Sequence, residues 1–427
     1  MSGLAGSSVN IVGGGIAGLI SAIHLARAGV RVSLFESAGT LGGRARTREV
    51  NGYFLNQGPH AVYLDGAFHR ELTQLDIPFS GRRTQAPHPQ GLWRGQLHSL
   101  PQGAASLLTT SLFNAGEKLA YMGVIKGIVD GATGAGTFAD WMDTQRLSDR
   151  LRASLEALAR VTSYTNAPDM VSAAAMLDQI RLGLKGVMYV DGGWASLVNG
   201  LADAARESGA MLHAGARVER VLVEGRSSRV VMADGPEYVA DATILAVGPG
   251  EAAAIAPAIA SLKTEAAEAQ PIRASCLDLA LSHWPKDARQ FVLGIDQPFY
   301  LSLHSAAARL APQDGAVVHI ARYMAPGEPP GPEAVSELEG LADLAIPGWR
   351  ALEVKRQELR GMVVSNAVVW ADRARPGVEL MDAAGVFIAG DWVGDEGMIS
   401  DASAASAVKA AEAAKRWLAQ SPTRVAA

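Results

Sequence analysis

A glycine-rich turn near the start of the chain constrains the fold more than any other feature. Residues 9–12, of which Val9, Ile11 and Val12 are apolar, lead directly into the segment 13–18, which reads GGGIAG, and Glu36 ends the next apolar run. In a strand–turn–helix unit, Gly13 allows the tight turn, Gly15 lets backbone N–H groups approach a pyrophosphate, and Gly18 lets the helix pack close to the sheet. An acid about 20 residues further on can accept hydrogen bonds from ribose hydroxyls. This arrangement predicts a Rossmann-like dinucleotide site.

The composition is typical of a large globular protein. The chain has 427 residues, enough for about two or three domains, and 48% of them are hydrophobic. The net charge of −5 gives no electrostatic footprint for nucleic acid. A lone cysteine, Cys276, excludes an internal disulfide, favours a reducing, cytoplasmic setting, and is expected to be a buried apolar residue. We expect no signal peptide and no transmembrane helix, because glycines interrupt the first apolar run and no apolar window is long enough.

A second glycine cluster narrows the ligand. Gly42, Gly43 and Arg44 follow Glu36 after five intervening residues, and Arg44 is a fixed cation suited to a phosphate or a ring oxygen. Here the chain resembles the FAD-binding superfamily of amine oxidases, protoporphyrinogen oxidases and phytoene desaturases, and the phytoene desaturase branch is the most similar. In that superfamily the same spacing of acid, glycine pair and basic residue marks FAD rather than NAD. The resemblance therefore implies non-covalently bound FAD.

Two further segments extend the resemblance. Residues 385–391 resemble a strand ending in Gly390-Asp391, and an alanine-rich helix follows to about Trp417. The resemblance implies that the Asp391 carboxylate lies near the ribityl chain and pyrophosphate. It also implies that the next helix points its positive N-terminal end at the flavin O2, where it would stabilise the anionic reduced ring. The segment 188–223 resembles the returning piece of the FAD domain, in which the backbone of Val218 meets the adenine.

These motifs and the resemblance give a set of predicted cofactor contacts spread over three segments. The predicted cofactor-binding residues are Gly13, Gly15, Ile16, Ala17, Gly18, Glu36, Ser37, Gly42, Gly43, Arg44, Gly58, Pro59, His60, Val218, Gly390, Asp391, Met398, Ile399 and Ala402.

The predicted fold class is α/β, with a discontinuous, Rossmann-like FAD domain of the glutathione reductase type and an α+β substrate domain. We assign residues 1–80, 188–255 and 355–427 to the first domain and residues 81–187 and 256–354 to the second. Apolar residues recur at helical spacing over 101–186, and Thr137 with Asp140 is typical of a capped helix start. Residues 299–304 and 317–320 are typical of strands.

Few polar residues are candidates for the chemistry itself. His60 follows Gly58-Pro59 in a loop that the resemblance brings near the flavin ring, so it is the candidate catalytic residue; backbone hydrogen bonding in a buried loop is the alternative. Tyr300, His304 and Trp392 are candidate substrate-lining residues, and ordinary core packing is the alternative for each. The nine histidines show no metal-ligand spacing, so no metal is expected.

The leading hypothesis is an FAD-dependent oxidoreductase that removes hydride from a largely apolar small molecule, such as an isoprenoid or a tetrapyrrole. A flavin amine oxidase is one alternative, and a flavin-binding protein without catalysis is another. A non-redox isomerase or mutase is a third, because residues 58–60 also resemble the histidine loop of UDP-galactopyranose mutase. A sugar-nucleotide site needs arginines for a diphosphate, and Arg94, Arg181, Arg273 and Arg322 are available.

The expected partners are a small-molecule substrate and an electron acceptor, with no nucleic acid. The sequence leaves the acceptor open between oxygen, a quinone and other molecules. The apolar helices of 101–186 either face a core or make peripheral contact with a membrane.

Overall fold

A parallel five-stranded sheet forms the centre of the first unit of the structure, a computed structural model that describes residue 4 and residues 6–84 and 86–420. Every neighbouring pair in the sheet is parallel. From edge to edge its strands are Met211–Ala214, Arg31–Glu36, Ser8–Val12, Ala242–Leu245 and Val386–Ile388. The chain supplies these strands from three distant segments, so the sheet is discontinuous in sequence. The outermost residues of the predicted FAD domain, 1–3, 5 and 421–427, lie outside the described residues.

Helices cover one face of this sheet. They share a continuous apolar core with the strands, in which Leu19, Leu201 and Ala407 are fully buried. Gly29 ends the first helix region with a φ of +83°, a conformation that glycine adopts without strain. The covering helices are Ile16–Arg27, Ala67–Gln74, Ala195–Glu207 and Ile399–Ala419.

The opposite face packs against a smaller antiparallel sheet and two helices. Its core joins Phe35 and Ile388 of the central sheet to Val230 and Leu262. Layers on both faces are typical of doubly wound α/β folds. The elements of this layer are the strands Val218–Glu224, Ser227–Met232 and Glu237–Ala240 and the helices Pro249–Ile255 and Ala260–Glu268.

A mixed seven-stranded sheet forms the centre of the second unit. In order its strands are Glu353–Ser365, Ile272–Leu281, Ala316–Tyr323, Phe299–Leu303, Phe291–Gly294, Gln90–Trp93 and Gln96–Ser99. The helix Ala334–Ala345 packs on one face through Leu338 and Leu341, and a short helix, Trp349–Leu352, follows it. The first strand in this order begins before the predicted domain boundary at residue 355 and pairs along its length with Ile272–Leu281. By strand pairing, residues 355–365 therefore lie in the second unit rather than with the FAD domain.

Five helices lie between residues 104 and 185 and confirm the helical pattern expected over 101–186. Thr137 caps one of them: its hydroxyl accepts the Asp140 N–H, and the Asp140 carboxylate accepts the Thr137 N–H, as predicted. None of the described helices is long and apolar enough to cross a bilayer. The five are Ala104–Thr109, Ala115–Val129, Phe138–Thr144, Asp149–Ser163 and Ala173–Lys185.

Short elements connect the two units. Strands Thr47–Val50 and Tyr53–Asn56 form a hairpin. Strands Val62–Tyr63, Val187–Val190 and Gly81–Arg83 form a three-stranded sheet. Single turns of 3₁₀ helix span Gly43–Ala45 and His304–Ala306.

Candidate active site

A cavity of about 1380 Å³ is lined by residues of both units. The first unit contributes the glycine-rich turn, the second glycine cluster and the start of the C-terminal helix. The second unit contributes strands of the mixed sheet and residues from the helical segment. This volume lies above the usual range for a single small-ligand pocket, so a cofactor and a substrate can share it.

The glycine-rich turn fits a closely approaching ligand. Gly13 has a φ of +107°, and a Cβ there would come within 2.4 Å of the Ala246 carbonyl oxygen. A Cβ on Gly18 would come within 1.9 Å of the Gly13 oxygen, so this glycine permits the close packing of the helix. Gly15, by contrast, has open space around it and lines the cavity at the start of the helix Ile16–Arg27. The backbone at this helix N-terminus is therefore available to an anionic group.

The Glu36 carboxylate is held by backbone N–H groups of the glycine-rich turn and of the loop after Glu36. One carboxylate oxygen accepts the Gly14 N–H at 2.8 Å, and the other accepts the Ala38 N–H at 2.8 Å. The side chain lines the cavity, at the carboxyl end of the strand Arg31–Glu36. A carboxylate at the end of this strand can accept hydrogen bonds from a ribose, the role that the sequence predicts for Glu36.

Arg44 and Asp391 form an ion pair at the cavity wall. Arg44 Nη1 donates to Asp391 Oδ2 at 2.7 Å and to the Val364 carbonyl at 2.8 Å. Asn366 donates to both oxygens of the same carboxylate, at 3.0 Å from its backbone and 2.8 Å from its amide. Burial alone would raise the pKa of Asp391, but the Arg44 charge and these hydrogen bonds lower it below its ordinary value. Asp391 is therefore ionised and rigidly held.

The C-terminal helix begins with a strained residue at the cavity. Ile399 has a φ of +55°, which is rare for a β-branched side chain, and it lines the cavity together with Ser400 and Ser403. Strain of this kind is concentrated at functional sites. The positive end of this helix thus faces the cavity, where the flavin ring is expected.

Most of the predicted site residues lie together on this cavity. The predicted residues that line it are Gly13, Gly15, Ile16, Ala17, Glu36, Gly42, Gly43, Arg44, Pro59, His60, Tyr300, His304, Gly390, Asp391 and Ile399.

Seven predicted residues do not line the cavity, and their surroundings explain why. Gly18 packs the helix against Gly13, and the exposed Ser37 donates to Glu36. Gly58 is covered by Cys276, into which a Cβ would run at 2.9 Å. The remaining residues are buried in cores next to the cavity: Val218, Trp392, Met398 and Ala402.

Trp392 differs most from its predicted role. Only 2% of the residue is exposed, and its indole N–H donates to the Val247 carbonyl at 3.0 Å. It packs in the core between the central sheet and the antiparallel sheet. Of the predicted substrate-lining residues, the structure thus places Tyr300 and His304 at the cavity and Trp392 behind its wall.

His60 is partly buried at the cavity wall and held by backbone on both sides of its ring. Nδ1 lies 3.1 Å from the Gly58 oxygen and Nε2 lies 3.2 Å from the Arg44 oxygen. A neutral ring can donate to only one of these two acceptors. Burial nevertheless outweighs them and lowers the pKa of His60 to about 4. The ring is therefore neutral near pH 7, and it stabilises the loop 58–60.

Sequence reasoning missed two side chains that complete a polar patch around Tyr300 and His304. Tyr189 stacks on His304 with ring centroids 3.6 Å apart, and its hydroxyl lies 2.9 Å from that of Tyr300 and 3.2 Å from that of Ser302. The Tyr300 hydroxyl lies 3.1 Å from His304 Nε2. We call Tyr189, Tyr300, Ser302 and His304 the tyrosine–histidine patch; all four line the cavity. The i, i+2 spacing of Tyr300 and Ser302 was a visible signal, but Tyr189 comes from a strand over a hundred residues away.

No group of three or more acidic, histidine or cysteine side chains able to hold a metal is found among the described residues. Cys276 is buried at the cavity wall, and burial raises the pKa of its thiol well above the ordinary value. A protonated thiol of this kind is a poor nucleophile.

The family model of flavin containing amine oxidoreductases matches residues 16–276. The chain belongs to this family. The flavin in the family's description agrees with the predicted cofactor, FAD, and the open space at Gly15 and the position of Glu36 fit that group.

Relatives of known activity are similar over part of the chain. The 4,4'-diapolycopen-4-al dehydrogenase of Metabacillus indicus is 27% identical over 274 residues, covering 56% of this chain and 55% of that protein. The zeta-carotene-forming phytoene desaturase of Myxococcus xanthus is 28% identical over 279 residues, covering 56% and 53%. The chain thus spans about half the length of the curated relatives it matches.

Solved structures share the fold over nearly the whole chain. An oxidoreductase from Methanosarcina mazei has a TM-score of 0.75 at 19% identity, covering 95% of this chain and all of that one. Cyclohexylamine oxidase from Brevibacterium oxydans has a TM-score of 0.69 at 17% identity, covering 96% and 100%. At these identities the comparison establishes the fold, and it confirms the predicted α/β class with a Rossmann-like domain.

Proposed function

We propose that the protein is an FAD-dependent dehydrogenase that removes hydride from a largely apolar small molecule of the isoprenoid class. The observation that carries this proposal is the wall of the cavity in the second unit. Aliphatic and aromatic side chains dominate it, among them Leu112, Phe113, Leu158, Val161, Phe291, Leu293 and Ile295. Two relatives, the 4,4'-diapolycopen-4-al dehydrogenase and the zeta-carotene-forming phytoene desaturase, support the same class of substrate.

The charges around the cavity disfavour an amine oxidase, and none of the arginines considered for a mutase lines it. The carboxylates that line it, Glu36, Glu251 and Asp391, all lie in elements of the first unit, so the described residues of the substrate region offer no counter-ion to an ammonium group. The arginines considered for a sugar diphosphate are engaged elsewhere: Arg181 with Asp178, Arg273 with the Gly361 carbonyl and Arg322 with Glu328 and Glu337. Neither they nor the exposed Arg94 line the cavity. Two other arginines, Arg82 and Arg83, do line it; both are exposed, and Arg83 donates to the Lys185 carbonyl.

The residues of the chain hold, orient and shield the reactants. Bound FAD supplies the two-electron acceptor. Gly15 and Glu36 bind its dinucleotide part, and the Arg44–Asp391 pair fixes the wall beside it. His60 is a positioning residue in this proposal, because both of its ring nitrogens contact backbone oxygens. The apolar wall excludes water from the reacting carbon.

Anaerobic reduction of the flavin tests this function. The FAD-loaded protein is mixed without oxygen with matched isoprenoid, porphyrinogen and amine substrates. We expect the flavin absorption band to bleach with an isoprenoid. Bleaching by amines alone would establish the amine oxidase instead, and a flavin that stays oxidised with every substrate would exclude a dehydrogenase.

We also propose that the mouth of the cavity contacts a membrane. The helix Ala115–Val129 buries only Ile128 and borders the cavity through Tyr121. Leu119 and Met122 on this helix are 68% and 49% exposed, and Leu108 nearby is 74% exposed. An apolar substrate dissolved in lipid would enter the cavity from this surface.

A further inference from the structure

The tyrosine–histidine patch is a polar island in the apolar wall of the substrate region. Its four members come from the strand Val187–Val190, the strand Phe299–Leu303 and the turn His304–Ala306. All four are buried or nearly so yet line the cavity, and three hydrogen bonds connect them. A core that needed only packing would place apolar side chains here, because buried polar groups are costly unless satisfied.

The patch has hydrogen-bonding capacity that its own members do not use. His304 Nδ1 is buried and has no hydrogen-bond partner among the described residues. Behind it, His319 Nδ1 donates to Asp278 Oδ1 at 2.6 Å, and the rings of His304 and His319 are 4.4 Å apart. The Asp278–His319 pair fixes the ring of His319, and Tyr189 stacks on His304 from within the patch. His304 is thus held between rings, although among the patch members it hydrogen-bonds to Tyr300 alone.

The hydrogen bonds of the patch can run in either direction. If Tyr300 donates to His304, then Tyr189 donates to Tyr300 and Ser302 to Tyr189, and the patch offers free oxygen lone pairs. If His304 donates instead, the order reverses, and the Ser302 hydroxyl hydrogen becomes free. The patch can therefore present either a donor or an acceptor without carrying charge.

Every group in the patch is neutral near pH 7. Burial, together with the neighbouring His319 and His60, keeps the pKa of His304 well below its ordinary value. Burial likewise raises the pKa of Tyr189 and, further, that of Tyr300. A charged ammonium or carboxylate would lose its hydration here and gain no counter-ion.

We propose that the tyrosine–histidine patch binds an uncharged oxygen group, a hydroxyl or a carbonyl, carried by the otherwise apolar substrate. This inference rests on the proposed function and makes it more specific: the substrate is an oxygen-bearing isoprenoid rather than a pure hydrocarbon. Tyr300 and Ser302 determine the preference, and the apolar wall accommodates the chain.

Equilibrium dialysis of the FAD-loaded protein measures the preference without any turnover. The probes are farnesene, farnesol, farnesal and farnesylamine, which share one chain and differ at its end. We expect farnesol or farnesal to bind about tenfold more tightly than farnesene, the gain of roughly one buried hydrogen bond. Farnesylamine should show no such gain.

Two variants test whether the patch is responsible. Tyr300→Phe and Ser302→Ala each remove one hydroxyl, and each should bring the farnesol-to-farnesene ratio close to one. Tyr121→Phe is the matched control, since it removes a hydroxyl from the same cavity outside the patch and should leave the ratio unchanged. Equal affinities for all four probes, binding by none of them, or a ratio that survives both variants would overturn the proposal.

The outcome is separable from that of the proposed function. A preference for farnesol with a flavin that is never reduced would support the patch and refute the dehydrogenase. Flavin bleaching by isoprenoids, with no preference for farnesol in dialysis, would support the dehydrogenase and refute the role of the patch.

Discussion

Gly15 and Gly18 belong to one turn, but they serve different purposes. A methyl group on Gly18 would overlap the Gly13 carbonyl, whereas a methyl group on Gly15 would enter open space at the cavity. We expect Gly18→Ala to lower the free energy of unfolding of the apoprotein by about 1–3 kcal/mol or more, because backbone must move. Gly15→Ala should leave apoprotein stability within about 1 kcal/mol and weaken FAD binding at least tenfold. Urea unfolding and FAD titration measure the two effects, and a Gly15→Ala variant with normal FAD affinity would show that the cofactor does not approach this turn.

Sequence reasoning succeeded at the residue level where the contacts are local. Gly13, Gly15 and Glu36 lie within one strand–helix–strand unit, so their spacing along the chain fixes their spacing in the structure. Tyr189, Ser302 and the Asp278–His319 pair come from separate strands, and only the pairing of the sheets brings them together. Trp392 follows Asp391 directly, yet adjacency along the chain says nothing about which side of the wall a side chain occupies.

Two helices are joined by Asp401, a buried carboxyl in the first turn of Ile399–Ala419. Its Oδ1 accepts the Phe68 N–H at 2.8 Å at the start of the helix Ala67–Gln74, and its Oδ2 has no hydrogen-bond partner among the described residues. Burial raises the pKa of Asp401 to about 6, against the lowering effect of the Phe68 hydrogen bond.

Asp401→Asn should therefore stabilise the protein at high pH. Between about pH 4 and pH 6 the folded protein holds a proton that the unfolded chain has lost, so this group's contribution to stability falls as pH rises through that window. At pH 8 we expect the variant to have a free energy of unfolding about 1–3 kcal/mol above the wild type, and at pH 4 the difference should vanish. Urea unfolding at both values measures it. Asp401→Ala is the control: it should be less stable than Asp401→Asn at both pH values, because it also loses the bond to Phe68.

The helix Ala115–Val129 accounts for the proposed membrane contact, and its exposed side chains can be changed without touching a core. The double variant Leu119→Ser/Met122→Ser should reduce co-sedimentation with phosphatidylcholine–phosphatidylglycerol vesicles at least tenfold, since each side chain loses roughly 1.5–3 kcal/mol of burial in lipid. The melting temperature should not fall. Met381→Ser, at a fully exposed site elsewhere, should leave vesicle binding unchanged. Equal binding by the wild type and the double variant would place the contact elsewhere.

The elements also show where pattern reasoning reaches its limit. Helical spacing over 101–186 and the Thr137 cap depend on neighbours three or four residues apart, and both are confirmed. The strand Glu353–Ser365 pairs with Ile272–Leu281, about 80 residues earlier, so no local pattern could assign it to the second sheet.

The molecule as a whole is held together by contacts that cross between its two units. Gln357 of the mixed sheet donates to the Asn56 carbonyl and to Asp278, and the Gly58 N–H also donates to Asp278. Arg44 joins Asp391 of one unit to Val364 of the other. Because the chain passes repeatedly between the units and one cavity spans both, we expect them to unfold together.

Hydrogen exchange with and without FAD tests this coupling. A ligand that binds only the folded state stabilises every part that unfolds with its site, by about 2.7 kcal/mol at a hundredfold excess over Kd. Amides in the strand Ser8–Val12, beside the glycine turn, should gain this protection. If the units are coupled, amides in the strand Ala316–Tyr323 should gain the same amount, although this strand belongs to the distant mixed sheet. Protection confined to the five-stranded sheet would show that the substrate unit opens independently, and substrate could then enter by separation of the units rather than through the mouth beside Tyr121.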